Sequence, residues 1–485
     1  MNLKGLEDEL RKLYTSHNQE HVFDHYSSLD DEKKSLLLKD LSSFPVDKLA
    51  SYLQSARQEQ DRLQQDSHEG NDHSVHIGPY RGSIGSVSTD SFVSTMEPIG
   101  IHAIAINQLA VVLLAGGQGT RLGFDGPKGI YDLGLKSGRT LFQLISERLV
   151  KLIQLVNERQ STSDTVSIPL YIMTSPMNHE ATRSYFESHN FFGLSPKDVL
   201  FFEQGVLPCL SINNGKILME EPGKVAVAPD GNGGIYPAME RCGIFQDMEQ
   251  RGIQFIHVFS IDNCLVKPAD PVFLGYCISQ GADCGNKVLW KAHAHEKVGV
   301  MAEKDGRPCV VEYSELSSKM AEMIHHSTGK LMYGAANICN HFYTLDFLQN
   351  QVLPNMKYMY HMALKKIPIW DEEKQQVVAP EKNNGIKLES FIFDVFSLST
   401  NMTVMEVLRD VEFSPVKNAP GSETDSPETA RRMISELSKK WLQAAGAKLI
   451  GDLRSDDCEV SPLLSYGGEG LHVYRNRDVV CPFNI

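Results

Sequence analysis

The sequence lacks three features that would each define a class of protein. None of its nine cysteines forms a Cys-x-x-Cys pair, so neither a zinc ribbon nor a dithiol redox site is expected. The longest aliphatic run, 109–115, is far shorter than the roughly 20 residues of a membrane-spanning helix. Basic residues are not in excess either, because the 47 Lys and Arg are outnumbered by 61 Asp and Glu. We therefore expect a cytoplasmic protein with neither nucleic-acid nor membrane partners.

What the chain does have is the composition of an ordinary globular protein, 485 residues long with 41% hydrophobic and 22% charged residues. At about 150 residues per domain, this length predicts three compact units. We expect a helical N-terminal domain over 1–104, a central domain over 105–412 and a small mixed α/β C-terminal domain over 413–485. Within them, the polar stretch 66–100 predicts a linker, and the Pro-rich stretch 413–427 a connector.

The central region alternates short apolar runs with amphipathic stretches. Leucines at helical spacing dominate the N-terminal region, whereas strands are predicted at 109–115, 168–173, 199–203 and 254–261. Thr140 is typical of a helix N-cap, as is Ser426 before Pro427. Asp305-Gly306 predicts a hairpin, and short β-like runs are expected around Gly467 to Gly470. Strand and helix in alternation indicate an α/β fold, a mostly parallel sheet with helices on both faces.

A glycine-rich loop directly follows the first predicted strand. Gly116, Gly117 and Gly119 lack Cβ atoms, so their backbone N–H groups can approach phosphate oxygens closely. Arg121 and Lys128 add positive charge within the same short segment. A turn with a purely geometric role is the plain alternative. The loop is not a Walker A motif and fits a dinucleotide fingerprint only loosely.

Asp262 directly follows another strand-like run, 255–261. Carboxyl ends of parallel strands share one edge of a sheet, so Asp262 is expected on the side of the glycine loop. Its carboxylate oxygen suits Mg²⁺, although a helix-capping aspartate is the plain alternative.

These motifs together resemble a known family. The sequence of residues 113–123 with Pro127-Lys128 is similar to the signature of sugar-nucleotide pyrophosphorylases. Residue by residue, it resembles the form of that signature in the eukaryotic UDP-N-acetylhexosamine pyrophosphorylases. Further family-like blocks occur in family order: 202–205, 228–234, 260–263, 311–315, 337–342, 391–394, 413–418 and 458–463. The resemblance covers about residues 105 to 475 and implies a Rossmann-like nucleotidyltransferase fold.

The resemblance also implies a reaction. In it, a sugar 1-phosphate oxygen attacks the α-phosphorus of UTP and pyrophosphate leaves, so N-acetylglucosamine 1-phosphate would yield UDP-N-acetylglucosamine. The implied cofactor is Mg²⁺ on Asp262, with Mn²⁺ possible. The implied catalytic residues are Arg121, Lys128 and Lys417, and Lys417 would make the connector a lid.

Two further sets of residues are implied to bind substrate. The nucleotide would contact Leu114, Ala115, Gly116, Gly117, Gly119, Thr120, Met173, Gln204 and Gly231. The sugar would contact Asn232, Gly299, Glu312, Asn337, Phe391 and Phe393, the two phenylalanines bordering the N-acetyl methyl group. From residue type alone, Met173 could equally belong to the hydrophobic core. Phe391 and Phe393 are two residues apart, as on one face of a short strand, which would also make them core residues.

Other functions stay open at this point. A uridylyltransferase that prefers glucose 1-phosphate or accepts many sugar phosphates is a near alternative. A nicotinamide-dependent oxidoreductase would need an acidic residue about 20 positions beyond the loop at the end of a second strand, and none is there. A catalytically silent sugar-nucleotide sensor would not need the full set of cations. A monomer or a weak homodimer is expected.

Overall fold

The computed structural model describes residues 3–66, 77–159, 166–356 and 359–485, with the side chains of 62–66 left aside. The part of the predicted linker that holds His68, His73 and His76 lies outside these ranges. Within them, no helix combines the length and the apolar character needed to cross a membrane.

The helices of the described residues vary from single turns to six turns. They are α1 Leu3–Ser16, α2 Asp31–Ser43, α3 Val46–Asp66, α4 Asp90–Ala105, α5 Leu141–Arg159, α6 His179–Ser188, α7 Ile235–Arg241, α8 Ile244–Gln250, α9 Pro271–Ser279, α10 Ser318–Ala321, α11 Leu345–Phe347, α12 Leu353–Asn355, α13 Arg409–Glu412 and α14 Pro427–Ala444.

The strands are mostly short. They are β1 Ile77–Pro79, β2 Ile84–Ser86, β3 Leu109–Leu114, β4 Leu170–Thr174, β5 Val199–Glu203, β6 Val206–Pro208, β7 Leu210–Ser211, β8 Met219–Glu221, β9 Lys224–Val225, β10 Val227–Pro229, β11 Phe255–Ser260, β12 Cys284–Trp290, β13 Val300–Lys304, β14 Arg307–Val311, β15 Ala335–Thr344, β16 His361–Lys365, β17 Ile369–Asp371, β18 Gln376–Val378, β19 Gly385–Glu389, β20 Met402–Glu406, β21 Lys448–Gly451 and β22 Asp478–Cys481.

One large sheet dominates the fold, with its main strands in the order β2-β20-β12-β15-β11-β3-β4-β5. All neighbours in this order pair in parallel except β15, which is antiparallel to both β11 and β12. Every residue of β3 and β4 is buried, as expected for parallel strands covered on both faces. The predicted α/β class is confirmed.

The described residues form two compact units that differ from the three predicted domains. Unit 1 lies within Met1–His76, Gln204–Ala238 and Gln351–Val395, and unit 2 within Ile77–Glu203, Met239–Asn350 and Phe396–Ile485. The predicted boundaries at 104/105 and 412/413 are therefore not those of the structure. Segments far apart in sequence share a core, and sequence composition does not show that association.

Unit 1 joins the N-terminal helices to small antiparallel sheets. Leu10, Leu38 and Leu53 share one core with Leu210 and with Leu388 of β19. Tyr52 and Tyr360 stack with their ring centroids 4.4 Å apart. The N-terminal helices are thus one wall of a mixed unit rather than a separate helical domain.

The linker predicted over 66–100 is wrong where the structure describes it from residue 77 onward. Strand β2 pairs in parallel with β20, and helix α4 packs closely on α9. A Cβ at Gly100 would lie 1.9 Å from the Pro271 carbonyl oxygen, and one at Gly275 would lie 1.9 Å from that of Met96. Gly100 of α4 and Gly275 of α9 thus permit a close contact between the two helices. The polar composition of 66–100 gives no indication of this contact.

The capping and turn predictions in unit 2 are confirmed. The Ser426 hydroxyl accepts a hydrogen bond from the Thr429 N–H before α14, and Asp305 and Gly306 adopt positive φ between β13 and β14. The Gly467 to Gly470 region is the exception, because it forms turns. The C-terminal strands β21 and β22 come before and after this region in the sequence, and they pair in parallel.

Candidate functional site

The glycine loop lies at the carboxyl edge of the large sheet, as predicted. Strand β3 leads directly into it, and β11 runs beside β3 with Ser260 opposite Leu114. The Ile261 N–H donates to the Leu114 carbonyl oxygen at 3.1 Å. The loop after β3 and the residues after β11 therefore share one edge of unit 2.

The loop is closed by backbone hydrogen bonds that leave some amides unused. The Lys128 N–H donates to the Gly117 oxygen at 3.1 Å, and the Gly119 N–H donates to the Gly126 oxygen at 2.9 Å. Within the described ranges, the N–H groups of Gly116 and Gly117 have no protein acceptor. Phosphate binding through backbone N–H thus fits Gly116 and Gly117, whereas the predicted role of the Gly119 N–H is not supported, because that group is already paired.

Gly119 has a different reason to be glycine. A Cβ there would lie 2.7 Å from the Phe124 ring, so the side chain is absent to let the loop fold over Phe124. Thr120 begins a 3₁₀ turn that ends at Leu122 and is exposed. Leu114 and Ala115, in contrast, are buried.

Lys128 lies at the centre of a cluster of charges. It is half-buried, and its Nζ donates to the Val416 carbonyl oxygen at 2.9 Å. Burial lowers the pKa of Lys128; Asp262 opposes this, and Lys417 and Arg121 lower it further. The structure therefore brings together the three predicted cations and the predicted metal ligand.

The Asp262 carboxylate is available for a ligand. It is half-buried, and no side chain or N–H group in the described part of the chain donates a hydrogen bond to it. The helix-capping alternative is therefore not what the structure shows. No cluster of three or more His, Cys, Asp or Glu residues suited to a metal occurs in these same residues, so Asp262 would be a lone protein carboxylate on a metal.

The first part of the predicted connector is firmly attached to unit 2. The Val416 N–H donates to the Asp262 carbonyl oxygen at 2.9 Å, and Val416 is fully buried. Lys417 comes next and is exposed, and its N–H donates to the Asp425 oxygen at 2.7 Å. Residues 413–416 thus do not have the free backbone of a lid.

The three sugar contacts predicted in unit 2 also lie together. The Asn337 N–H donates to the Gly299 oxygen at 2.8 Å, and a Cβ on Gly299 would lie 2.9 Å from Glu312 Oε1. Burial raises the pKa of Glu312, Glu315 raises it further, and Lys417 opposes the rise. Glu312 therefore lies within electrostatic range of the cation cluster.

Met173 behaves as a core residue. Its side chain is 2% exposed in β4, and its carbonyl oxygen accepts the Ala115 N–H at 2.8 Å. The structure thus shows the core alternative for this side chain, and its contact with uracil stays a prediction.

Unit 1 holds the other predicted contacts around a tight turn. The Gln204 amide donates to the Gly231 oxygen at 2.7 Å, and the Ile392 N–H donates to Asn232 Oδ1 at 3.0 Å. Gly231 has φ +85°, and a Cβ there would lie 2.1 Å from the Ser390 oxygen. The turn therefore requires glycine, and its amide contacts bring Gln204, Asn232 and the segment after β19 together.

Phe391 and Phe393 do not alternate on a strand, contrary to prediction. They lie in a turn that Asp394 closes by accepting the Phe391 N–H at 2.6 Å. The two rings stack at 5.4 Å with an interplanar angle of 14°. The Asp394 carboxylate, three residues on, forms a turn in place of the predicted strand, and the two rings still lie together, as residues i and i+2 of a strand would.

Sequence reasoning missed two amides that organise the unit 2 site. Asn178 is buried and donates to the carbonyl oxygens of Ala115 at 3.0 Å and of Gly117 at 3.3 Å. Asn263 is buried beside Asp262 and bonds to the backbone of 412–414. A small polar residue shortly after a predicted strand is the only signal that could have pointed to either.

Fold and charge cluster together define an α/β domain built to hold an anionic ligand at the carboxyl edge of its sheet. The sequence profile of the family described as UTP–glucose-1-phosphate uridylyltransferase matches residues 82–423. The chain belongs to this family.

Individual relatives are similar over nearly the whole chain. The human UDP-N-acetylhexosamine pyrophosphorylase-like protein 1 is 43% identical over 496 residues, which cover 98% of this chain and 96% of that protein. The UDP-N-acetylglucosamine pyrophosphorylase of Saccharomyces cerevisiae is 38% identical, with 97% of each chain covered. A crystal structure of the Trypanosoma brucei UDP-N-acetylglucosamine pyrophosphorylase superposes with a TM-score of 0.83 at 29% identity, covering 96% and 94% of the two chains.

Proposed function

We propose that this chain transfers a uridylyl group from UTP to N-acetyl-α-D-glucosamine 1-phosphate and so forms UDP-N-acetylglucosamine and pyrophosphate. The observation that carries the proposal is the grouping of Arg121, Asp262 and Lys417 around Lys128. The names of the relatives similar over the full length support the choice of sugar.

The reaction needs positive charge more than it needs a base. The attacking phosphate oxygen is already ionised at pH 7; it forms a bond to the α-phosphorus, and the bond to the pyrophosphate oxygen breaks, so pyrophosphate leaves with the electron pair. Two polyanions must meet, and negative charge grows on the leaving group. Fixed cations and N–H groups in a partly buried site stabilise that charge.

The residues of unit 2 take these tasks in our proposal. The N–H groups of Gly116 and Gly117 bind nucleotide phosphate oxygens, while Arg121 and Lys128 stabilise the α-phosphate and the leaving pyrophosphate. Lys417 contacts the phosphates from the connector. The Glu312 carboxylate accepts hydrogen bonds from sugar hydroxyls, and the Asn337 amide can both donate to them and accept from them. Gly299 leaves space open beside these two groups.

Asp262 would hold Mg²⁺, or Mn²⁺ in its place. Its half-buried carboxylate, which accepts no hydrogen bond from the residues that the structure describes, fits a hard cation, which is often bound through one carboxylate plus substrate phosphates. When bound, the ion would neutralise part of the phosphate charge.

The residues of unit 1 take recognition roles that carry no charge. The Gln204 amide reads the edge of uracil, Gly231 and Asn232 contact the nucleotide and sugar, and Phe391 and Phe393 border the N-acetyl methyl group. The close approach at Gly231 and the ring stack support this assignment.

We also propose a cytoplasmic protein that acts on small molecules as a monomer or weak homodimer, without nucleic-acid or membrane partners. In support, all nine cysteines are free. Cell fractionation and light scattering test these two points.

Pyrophosphate release tests the reaction itself. Purified protein with Mg²⁺ and UTP should release pyrophosphate fastest with N-acetylglucosamine 1-phosphate. A strong preference for glucose 1-phosphate, the substrate in the family description, would overturn the choice of sugar. No release with any sugar phosphate would overturn the reaction, and tight NADH binding without UTP binding would favour an oxidoreductase instead.

A further inference from the structure

We propose that Asn263 is a positioning residue that holds the root of the connector, and with it Lys417, against the loop that carries Asp262. This inference deepens the proposed function and rests on it. Asn263 contacts no reacting group; it acts through the backbone of residues 412–416.

The Asn263 carboxamide joins two chain segments with both of its ends. Its Nδ2 donates to the Glu412 carbonyl oxygen at 2.7 Å, and its Oδ1 accepts the Ser414 N–H at 2.9 Å and the Leu265 N–H at 3.2 Å. Only an amide offers a donor and an acceptor side by side in this way. At 4% exposure, these hydrogen bonds are shielded from water.

The backbone around this amide sets the register. Asn263 forms an antiparallel bridge with Pro415, the Cys264 N–H donates to the Ser414 oxygen at 3.1 Å, and the Val416 N–H donates to the Asp262 oxygen. Pro415 faces Asn263 as a non-hydrogen-bonded pair, where no N–H is needed, and the Asn263 side chain adds its own bonds to Glu412 and Ser414. Lys417 then comes directly after Val416, the last residue paired with the Asp262 loop.

A buried ion cluster fixes the other end of this root. The Glu412 carboxylate accepts a hydrogen bond from Lys287 Nζ at 2.6 Å and lies 3.4 Å from Lys267 Nζ, and Lys287 also bonds Asp270 at 2.5 Å. Lys287 and Glu412 are almost wholly buried. The carbonyl group that Asn263 holds therefore belongs to a residue whose own side chain is anchored to β12.

The site needs such a clamp because its cations repel one another. Lys417 and Arg121 both act against the positive charge of Lys128, and Lys128 itself bonds the Val416 oxygen. Without substrate phosphates, this repulsion favours movement of Lys417 away from Lys128, and attraction to Glu312 and Asp425 acts on Lys417 as well. The Asn263 hydrogen bonds oppose that movement, so Lys417 is in place before the phosphates arrive.

Hydrogen exchange tests the clamp without relying on activity. In Asn263→Ala, the amides of 412–414 and 416–418 should exchange at least about tenfold faster, since the shielded bonds are lost. The matched control is Asn384→Ala in unit 1, where an amide likewise bonds the N–H and carbonyl of one residue, Ile367, and where 412–418 should be unchanged. Unaltered exchange in folded Asn263→Ala would overturn the clamp. If that variant does not fold, Asn263→Ser, which can keep one hydrogen bond, is measured with the same criterion.

A double-mutant cycle with Lys417→Ala tests the catalytic consequence. Asn263→Ala should lower kcat by about 10- to 100-fold, as misplacement of a catalytic group does, with a smaller effect on KM. In the Lys417→Ala background the same change should cost much less, whereas Asn384→Ala should be additive with Lys417→Ala. Full additivity of Asn263→Ala with Lys417→Ala would overturn the positioning role. An inactive wild-type protein with faster exchange in Asn263→Ala would instead overturn the proposed function alone.

Discussion

The two units present their candidate residues by different means. Unit 2 holds all of the charged candidates, at the ends of parallel strands or on a connector bonded to them, as with Lys128, Asp262 and Lys417. It also holds neutral backbone and sugar contacts such as Gly299 and Asn337. In unit 1 the groups are an amide, a glycine turn and two stacked rings, fixed by short backbone contacts around Gly231 and Asp394. Charged candidates are thus confined to unit 2, whereas the candidates of unit 1 are all neutral.

This difference assigns different consequences to mutation in the two units. Loss of a cation near developing negative charge raises the barrier for every sugar substrate, because all of them share the phosphate chemistry. Loss of a neutral contact changes which sugar is preferred. Kinetics with two sugar phosphates can therefore separate the cations of unit 2 from the stacked phenylalanines of unit 1.

The largest effect is expected from Arg121→Ala. We expect kcat to fall by about 100- to 1000-fold for all sugars, the usual cost of removing one preorganised charge-stabilising donor. The fold should persist, because Arg121 is exposed. The control is Arg183→Ala, an exposed arginine of unit 2 that pairs with Glu187. Near-normal turnover in Arg121→Ala would refute its role.

The next effect concerns the metal. Asp262→Asn should raise the Mg²⁺ concentration for half-maximal activity by about tenfold, since the charged ligand is lost. Asp125→Asn changes an exposed aspartate near the glycine loop and should leave the titration unchanged. Identical titration curves for Asp262→Asn and the wild type would count against ligation.

A smaller effect is expected in unit 1. Phe391→Ala should reduce the preference for N-acetylglucosamine 1-phosphate over glucose 1-phosphate by about fourfold, the value of one buried methyl contact. The measurement is the ratio of kcat/KM for the two sugars. A preference that stays the same would remove Phe391 from the sugar contacts.

The smallest effect is visible only at alkaline pH. Because burial and the neighbouring cations lower the pKa of Lys128, its charge is lost at a lower pH than that of an ordinary lysine as pH rises. The kcat/KM for UTP should fall as Lys128 loses its charge. The fall in kcat should occur at a higher pH than the fall in kcat/KM, because bound phosphate favours the protonated form of Lys128. In Lys128→Arg this alkaline fall should move upward. An unmoved fall would assign it to another group.

The edge of the large sheet was predictable because its signals are local. A buried run such as 109–115 specifies a strand, and the residues after neighbouring parallel strands must share one edge, so the glycine loop and Asp262 could be placed together. Helix starts at Thr140 and Ser426 were predictable from capping chemistry. Each inference needed only a few adjacent residues.

The features that could not be predicted depend on partners distant in sequence. Strand β2 pairs with β20 more than 300 residues later, and unit 1 is assembled from three segments. The prediction that the Gly119 N–H binds phosphate could not be corrected from sequence. Its actual acceptor, the Gly126 oxygen, approaches it only because of how the loop folds. The turn of Phe391 and Phe393 depends on the position of the Asp394 side chain.

The separation of roles between the units is tested most directly by one kinetic comparison. We would measure kcat/KM for N-acetylglucosamine 1-phosphate and for glucose 1-phosphate in the wild type, Arg121→Ala and Phe391→Ala. The account predicts that Arg121→Ala lowers both values by the same factor and that Phe391→Ala changes their ratio. A changed ratio in Arg121→Ala together with an equal loss for both sugars in Phe391→Ala would contradict it.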